Sequence, residues 1–254
     1  MPSNQILVYA GDLALAGTIV VLLRRGLVPR YWAWWLFLVF QLLRGIAPAL
    51  LSLNSLLYAR VFMVTEVVVD IVLVLSVYEW FRLLAGHYPG IKLAGTWFLN
   101  IGLGISFLAC LATTGPDWRA IDWNAPLFYL VLLEKRVVVG VLAVFAVLVF
   151  LAFLAYRVRV RPNVIWHGLL LAAYLWLQSA LSIADAWSGL DAVHRTNIIR
   201  EVVTIFLYLG WAVLLTRHGE EVEIAARLSE DECIQLDRLN EELLTLAQRA
   251  MRGT

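Results

Sequence analysis

Seven stretches of this chain are each apolar and long enough to cross a bilayer: residues 5–23, 31–53, 60–82, 93–113, 136–157, 164–187 and 198–216. A hydrocarbon core needs roughly 20 apolar residues in helical form, and lipid offers no partner to a bare peptide group. The runs are continuously apolar and far longer than barrel strands, so each is predicted to be a helix. Only 15% of the 254 residues are charged, too few to clothe a soluble domain, and mean hydropathy is +0.80. The predicted fold class is an all-α membrane protein. A seven-helix transmembrane domain covers residues 1–217, and an acidic tail carrying an amphipathic helix covers 218–254.

Arg and Lys placement orients the bundle. The first connection carries Arg24, Arg25 and Arg30, the third Arg82 and Lys92, the fifth Arg157, Arg159 and Arg161. The even connections hold only Arg60, Arg119 and Arg195, with Lys135 and Arg136 on the same side beside Glu134. The odd connections are therefore assigned to the cytoplasm, with the N-terminus outside and the tail inside, in a multi-pass protein of the cytoplasmic (inner) membrane. Trp32, Trp34, Trp35, Trp80, Trp97 and Trp166 then fall near the inner interface, where an aromatic belt is expected. No basic segment precedes the first apolar run, so no cleavable signal peptide is expected. Cys110 lies in the fourth span and Cys233 in the tail, an arrangement that predicts no intramolecular disulfide. The longest connection is 114–135, in which Pro126 is placed to open a helix leading into the fifth span.

Shifting the chain by 135 residues aligns Arg24 with Arg159, Arg60 with Arg195, Glu66 with Glu201 and Arg82 with Arg217. The shift lays spans one to three on spans five to seven and leaves the fourth as a linker. Such a three-plus-one-plus-three plan is known among transporters. Chance together with the loop-charge bias accounts for the Arg matches equally well.

Ionisable groups inside spans are costly and usually face a bundle interior or a cavity. Asp12, Arg44, Glu66, Asp70, Asp185, Arg200 and Glu201 all fall in the outer half, and Glu134, Lys135 and Arg136 at the outer edge of the fifth span. Glu79, close to Trp80 and Arg82, is expected to snorkel to the inner interface. The inner halves otherwise read as almost purely apolar, with Asn100 and Gln178 the main polar exceptions. Glu66 and Asp70 share one helix face at i, i+4 and need a cation nearby to stay ionised together. Arg44 is the best candidate and Arg200 the second. Pro48 leaves the Arg44 carbonyl without its helical donor and predicts a kink. Two readings stand level. One is an outward-facing pocket drawing on Arg44, Glu66, Asp70, Glu134, Arg136, Arg200 and Glu201. The other is a set of buried ion pairs that fixes helix register.

Catalytic signals are poor. His87, His167 and His218 lie near the cytoplasmic edge without ligand spacing on one helix, and read as interfacial histidines. No HExxH, GxSxG or P-loop pattern occurs, and the seventh span has no Lys for a Schiff base. No catalytic residue, metal or cofactor is assigned. Gly102, Gly104 and Ser106 read as close helix packing in the fourth span. In the tail, Ser229-Glu230-Asp231-Glu232 is a capping-box pattern, after which Leu236, Leu239, Leu243 and Leu246 form one apolar seam. The tail is acidic, with nine Asp and Glu against four Arg, so an anionic inner leaflet would repel it. Its seam is expected to meet the protein's own basic loops, a second copy or a cytoplasmic protein. Besides the lipid bilayer these are the partners foreseen, and nucleic acid is not among them.

The stretches YARVFMVTEVVVDIVLVLSVYEWF, LLEKRVVVGVL, IWHGLLLAAYL and LDRLNEELLTL carry Glu66, Glu79, Glu134, Arg136, His167 and Asn240. Through them the chain resembles an uncharacterised bacterial family of seven-span integral membrane proteins with no known activity. The resemblance implies the architecture and imports no function. Arg44 and Asp70 stand outside its pattern. The leading expectation is a non-enzymatic protein of sensor or interaction type, with an outer polar pocket and a partner-binding tail. A small-solute or proton-coupled transporter is the alternative, and a membrane enzyme the third.

Overall fold

A computed structural model of the chain describes residues 2–50, 56–86, 88–114, 137–151, 160–187, 190–221 and 230–252. His87, Arg119, Pro126, Glu134, Lys135 and Arg136 lie outside the described residues, as do the side chains of Asp185, Cys110, Cys233 and Leu236. The helices in order are α1 (Pro2–Arg24), α2 (Trp32–Leu50), α3 (Leu56–Leu84), α4 (Pro89–Thr114) and α5 (Val137–Leu151), then α6 (Pro162–Trp187), α7 (Leu190–Leu214), α8 (His218–Glu221) and α9 (Glu230–Arg252). No strand occurs among the described residues. Proline opens α1, α4 and α6, at a position where its missing N–H removes no helical bond. Gly26, at φ 68°, ends α1: its N–H reaches Leu23 O at 3.0 Å, and the Leu27 N–H reaches Leu22 O at 3.1 Å. This paired closure satisfies the last carbonyls of the helix. The kink expected at Pro48 does not interrupt α2, which stays helical to Leu50.

A helix occupies each of the seven apolar stretches. Three of them, over Ile6–Arg24, Pro162–Ser182 and Thr196–Leu214, are long and apolar enough to cross a membrane. Trp32–Ala47 and Val137–Leu151 are apolar but shorter, and α3 carries Glu66, Asp70 and Glu79. The outward faces are themselves oily: Ile6, Leu13, Phe206 and Val213 are each at least 67% exposed. A water-facing helix would not present such side chains in series.

α1 packs on α7 and α2, α2 on α3, and α6 on both α3 and α7. The fully buried Trp34, Trp80, Trp211, Tyr31 and Phe37 form the centre. This corrects the aromatic belt. Trp32, Trp97 and Trp166 do face outward, whereas Trp34 and Trp80 are wholly buried. Residues two apart on a helix point to nearly opposite sides, so Trp32 and Trp34 cannot share a face. Trp80 donates from Nε1 to Val164 O at 3.1 Å. Its ring lies across Gly168, where an added Cβ would stand 2.1 Å from Nε1. Among the described residues the close packing foreseen at Gly102 and Gly104 is not found: a Cβ on Gly104 meets nothing within 4 Å, and one on Gly102 makes only ordinary contact with Val141.

α9 packs along α4, pinned by the Gly90 N–H donating to Asn240 Oδ1 at 2.7 Å. Leu239 and Leu243 line an apolar cavity of about 380 Å³ together with Phe81, Ile91, Phe98 and Phe145. Two leucines of the expected seam are thus spent on the chain's own helices, while Leu246 is 59% exposed. Replacing Leu239 and Leu243 together by Asp should therefore undock the tail. Losing two leucine contacts at about 2 kcal/mol each favours release well beyond tenfold. Limited proteolysis should cut the tail correspondingly faster, with the bundle's melting temperature unchanged. A bundle that aggregates on extraction would instead make the tail part of the fold.

Candidate functional site

The charges that the sequence assigns to the outer half form two layers. Deepest is an ion pair between Arg44 Nη1 and the Glu66 carboxylate. Glu66 and Asp70 are each 2% exposed and lie one turn apart on α3, which packs on α2. In front of them opens a cavity of about 320 Å³, walled by α1, α2, α6 and α7. α1 contributes Asp12, α2 Gln41 and Arg44, α6 Tyr174 and Gln178, and α7 Arg200, Glu201, Thr204 and Tyr208.

Of the residues expected to form a pocket, Arg44, Arg200 and Glu201 meet in this wall. Glu66 and Asp70 stand behind it, and Glu134 and Arg136 lie outside the described residues. Gln178, assigned to the inner half from sequence, lines the same cavity as Arg44, Arg200 and Glu201, which the sequence assigned to the outer half. Gln41, Tyr174, Thr204 and Tyr208 are wall residues that the sequence did not single out. Their spacing holds a signal, since Gln41 and Arg44 are i, i+3, and Tyr174 and Gln178 are i, i+4, which places each pair on one helix face. Two glycines make room for the acids. A Cβ at Gly45 would stand 2.3 Å from Asp12 Oδ1, and one at Gly11 would stand 3.4 Å from Glu201 Oε2.

Below the cavity lies an aromatic layer. Tyr174 meets Trp34 and Phe37 at centroid distances of 6.4 and 5.6 Å, and Tyr208 meets Trp211 at 6.4 Å. Trp34 and Trp211 stack at 4.2 Å. His167 sits among them fully buried, accepting at Nδ1 from Trp211 Nε1 at 3.0 Å. That bond leaves the ring neutral with its proton on Nε2. His167 is therefore a core residue and not an interfacial one.

The opposite end of the bundle also holds more polar chemistry than its composition implied, and it is spent on helix ends. Helix termini carry backbone groups without intrahelical partners, and lipid cannot supply them. Glu79 of α3 accepts the N–H groups of Ala33 and Trp34 at 3.1 and 3.3 Å, so it caps the first turn of α2 and does not snorkel. Arg25 donates to the carbonyls of Ala212, at 2.7 Å, and Leu215, closing α7. Asn163 pairs with the backbone of Thr216 through both amide atoms, at 2.6 and 3.1 Å. Glu220 of α8 joins these ends, accepting from Tyr31 Oη at 2.6 Å and Asn163 Nδ2 at 2.9 Å, with Arg30 Nε at 2.8 Å. The sequence separations, 189 and 57 residues for the first two, explain why no local pattern announced this clasp.

Polar groups are thus consumed structurally at one end of the bundle and left facing a cavity at the other. No protein-family model, no curated protein and no solved structure matches this chain.

Proposed function

We propose that this is a seven-span protein of the bacterial inner membrane, with its N-terminus outside, that senses a small molecule in its outer cavity. Its cytoplasmic tail would hand the bound state to a protein partner. One observation carries the reading: charged and amide side chains from four helices converge on one cavity, while packed aromatic rings close it beneath. A volume near 320 Å³ lies at the small end of small-molecule sites. α7 runs from Glu201 in the cavity wall through Tyr208 and Trp211 toward the Glu220 clasp, one rigid element between the pocket and the segment that leads to the tail.

A transporter is the second reading. The pairing of α2 on α3 and of α6 on α7 obeys the 135-residue shift, as a repeated unit would. Against it, a transport path needs polar lining on the inner side too, and here the inner polar groups already cap helix ends.

Thiol labelling separates these readings. In a background with Cys110 and Cys233 replaced by Ser, Gln178→Cys should react with a membrane-impermeant maleimide added outside intact cells. It should be protected when the reagent reaches only the cytoplasmic face. Labelling from the cytoplasmic face alone would overturn the orientation, and labelling from both would favour transport. No labelling from either face would close the pocket.

A further inference from the structure

We propose that the cavity's ligand is a small organic cation, a protonated amine seated between Asp12 and Glu201. The inference rests on the pocket reading above and adds the chemical class. The wall carries two guanidinium groups and two carboxylates, and only the guanidinium groups have a hydrogen bond or ion pair among the described residues. Arg44 is paired with Glu66, and Arg200 donates to Asn197 Oδ1 on its own helix. Asp12 and Glu201 make no hydrogen bond and no ion pair among the described residues; Glu201 feels Asp12 as a like charge and Arg200 and Arg44 as opposite ones at longer range. Two neighbouring half-buried carboxylates are stabilised by a cation between them.

Gln178 adds an independent sign of a ligand. It is 8% exposed, lines the cavity and makes no hydrogen bond among the described residues. With no hydrogen bond of its own, its amide opens to the cavity, where its oxygen and NH₂ are poised for a guest. The Tyr208 ring lies in the same wall, and an aromatic face favours an ammonium group. Val8, Leu15 and Ile205 complete the lining with hydrocarbon. The seat is therefore acceptor-rich at one end and apolar beside it. The space, about 320 Å³, exceeds what a bare metal ion fills and suits an amine bearing a short carbon chain.

The test uses the full-length protein in lipid nanodiscs, followed by thermal melting and titration calorimetry at neutral pH. Butylamine and putrescine are the cationic probes, butan-1-ol the neutral one, butyrate the anionic one and sodium chloride the metal salt. Saturable stabilisation by an amine, absent with the other three, is the expected result. Asp12→Asn and Glu201→Gln should each weaken amine binding by about tenfold or more, the usual scale for a lost charge-assisted hydrogen bond. Sodium acting as well as the amines would replace the proposal with a plain cation site. Butyrate or butanol acting in their place, or no probe acting while Gln178→Cys still labels from outside, would overturn the amine and leave the pocket standing. Failure of that labelling would remove the pocket itself. If either carboxylate variant fails to fold, the four-way comparison on the unaltered protein still decides.

Discussion

Replacing either Arg44 or Glu66 alone by leucine is expected to lower the stability of the bundle by about 3–5 kcal/mol, because each change strands a charge in the interior. Replacing both should cost much less, since two leucines fill similar space without the desolvation of either ion. With the double loss below either single one, the coupling between the two positions should exceed about 3 kcal/mol, at or above the top of the range usual for residues in contact. Unfolding in detergent of the two single variants and the double variant measures it. Additive losses would show that the two groups contribute independently, against the bond between Arg44 Nη1 and the Glu66 carboxylate. The pair also makes Asp12 and Glu201 behave differently from Glu66. An acid with a guanidinium partner holds helices in register, whereas an acid facing a cavity has a place for something else.

Gly168→Ala should be the most damaging single-methyl change in the protein. The added carbon would sit 2.1 Å from Trp80 Nε1 and 2.3 Å from its Cε2, well inside van der Waals contact. The indole is fully buried and tied to Val164 O at 3.1 Å, so it cannot swing aside. Overpacking of this kind costs about 1–3 kcal/mol, and a rigid neighbour places it at the upper end. The same substitution in a Trp80→Leu background should cost little, because the obstructing ring is gone. Melting temperatures of the four proteins check this, and an undiminished penalty once the indole is removed would mean that α6 meets α3 elsewhere. Gly104→Ala serves as the control: its Cβ would meet nothing within 4 Å among the described residues, so stability should not fall.

What the chain makes legible without its fold is local. The length of an apolar run, the proline that opens a helix and the capping residues of the tail all act over a few turns, so the places of the helices can be read directly. The depth of each charge along its span follows by counting, which sets Arg44, Arg200 and Glu201 at one level before their meeting is visible. Rotation about the helix axis is not legible. In a water-soluble bundle the polar stripe marks the outside, but here Leu13, Phe206 and Val213 are exposed and oily like the core they cover. With apolar residues on every face, periodicity does not tell Trp34, which is buried, from Trp32, which is not. For the same reason the sequence sends Glu79 to the interface, whereas the level of Gln178 is open to counting, since it lies past the middle of 164–187. His167 likewise reads as interfacial, because its partner Trp211 lies 44 residues away on another helix. The run lengths determine where the helices lie. Only their packing decides which polar side chains cap a neighbour's end and which are left facing a cavity, because lipid provides no polar outer face from which the sequence could announce an inner one.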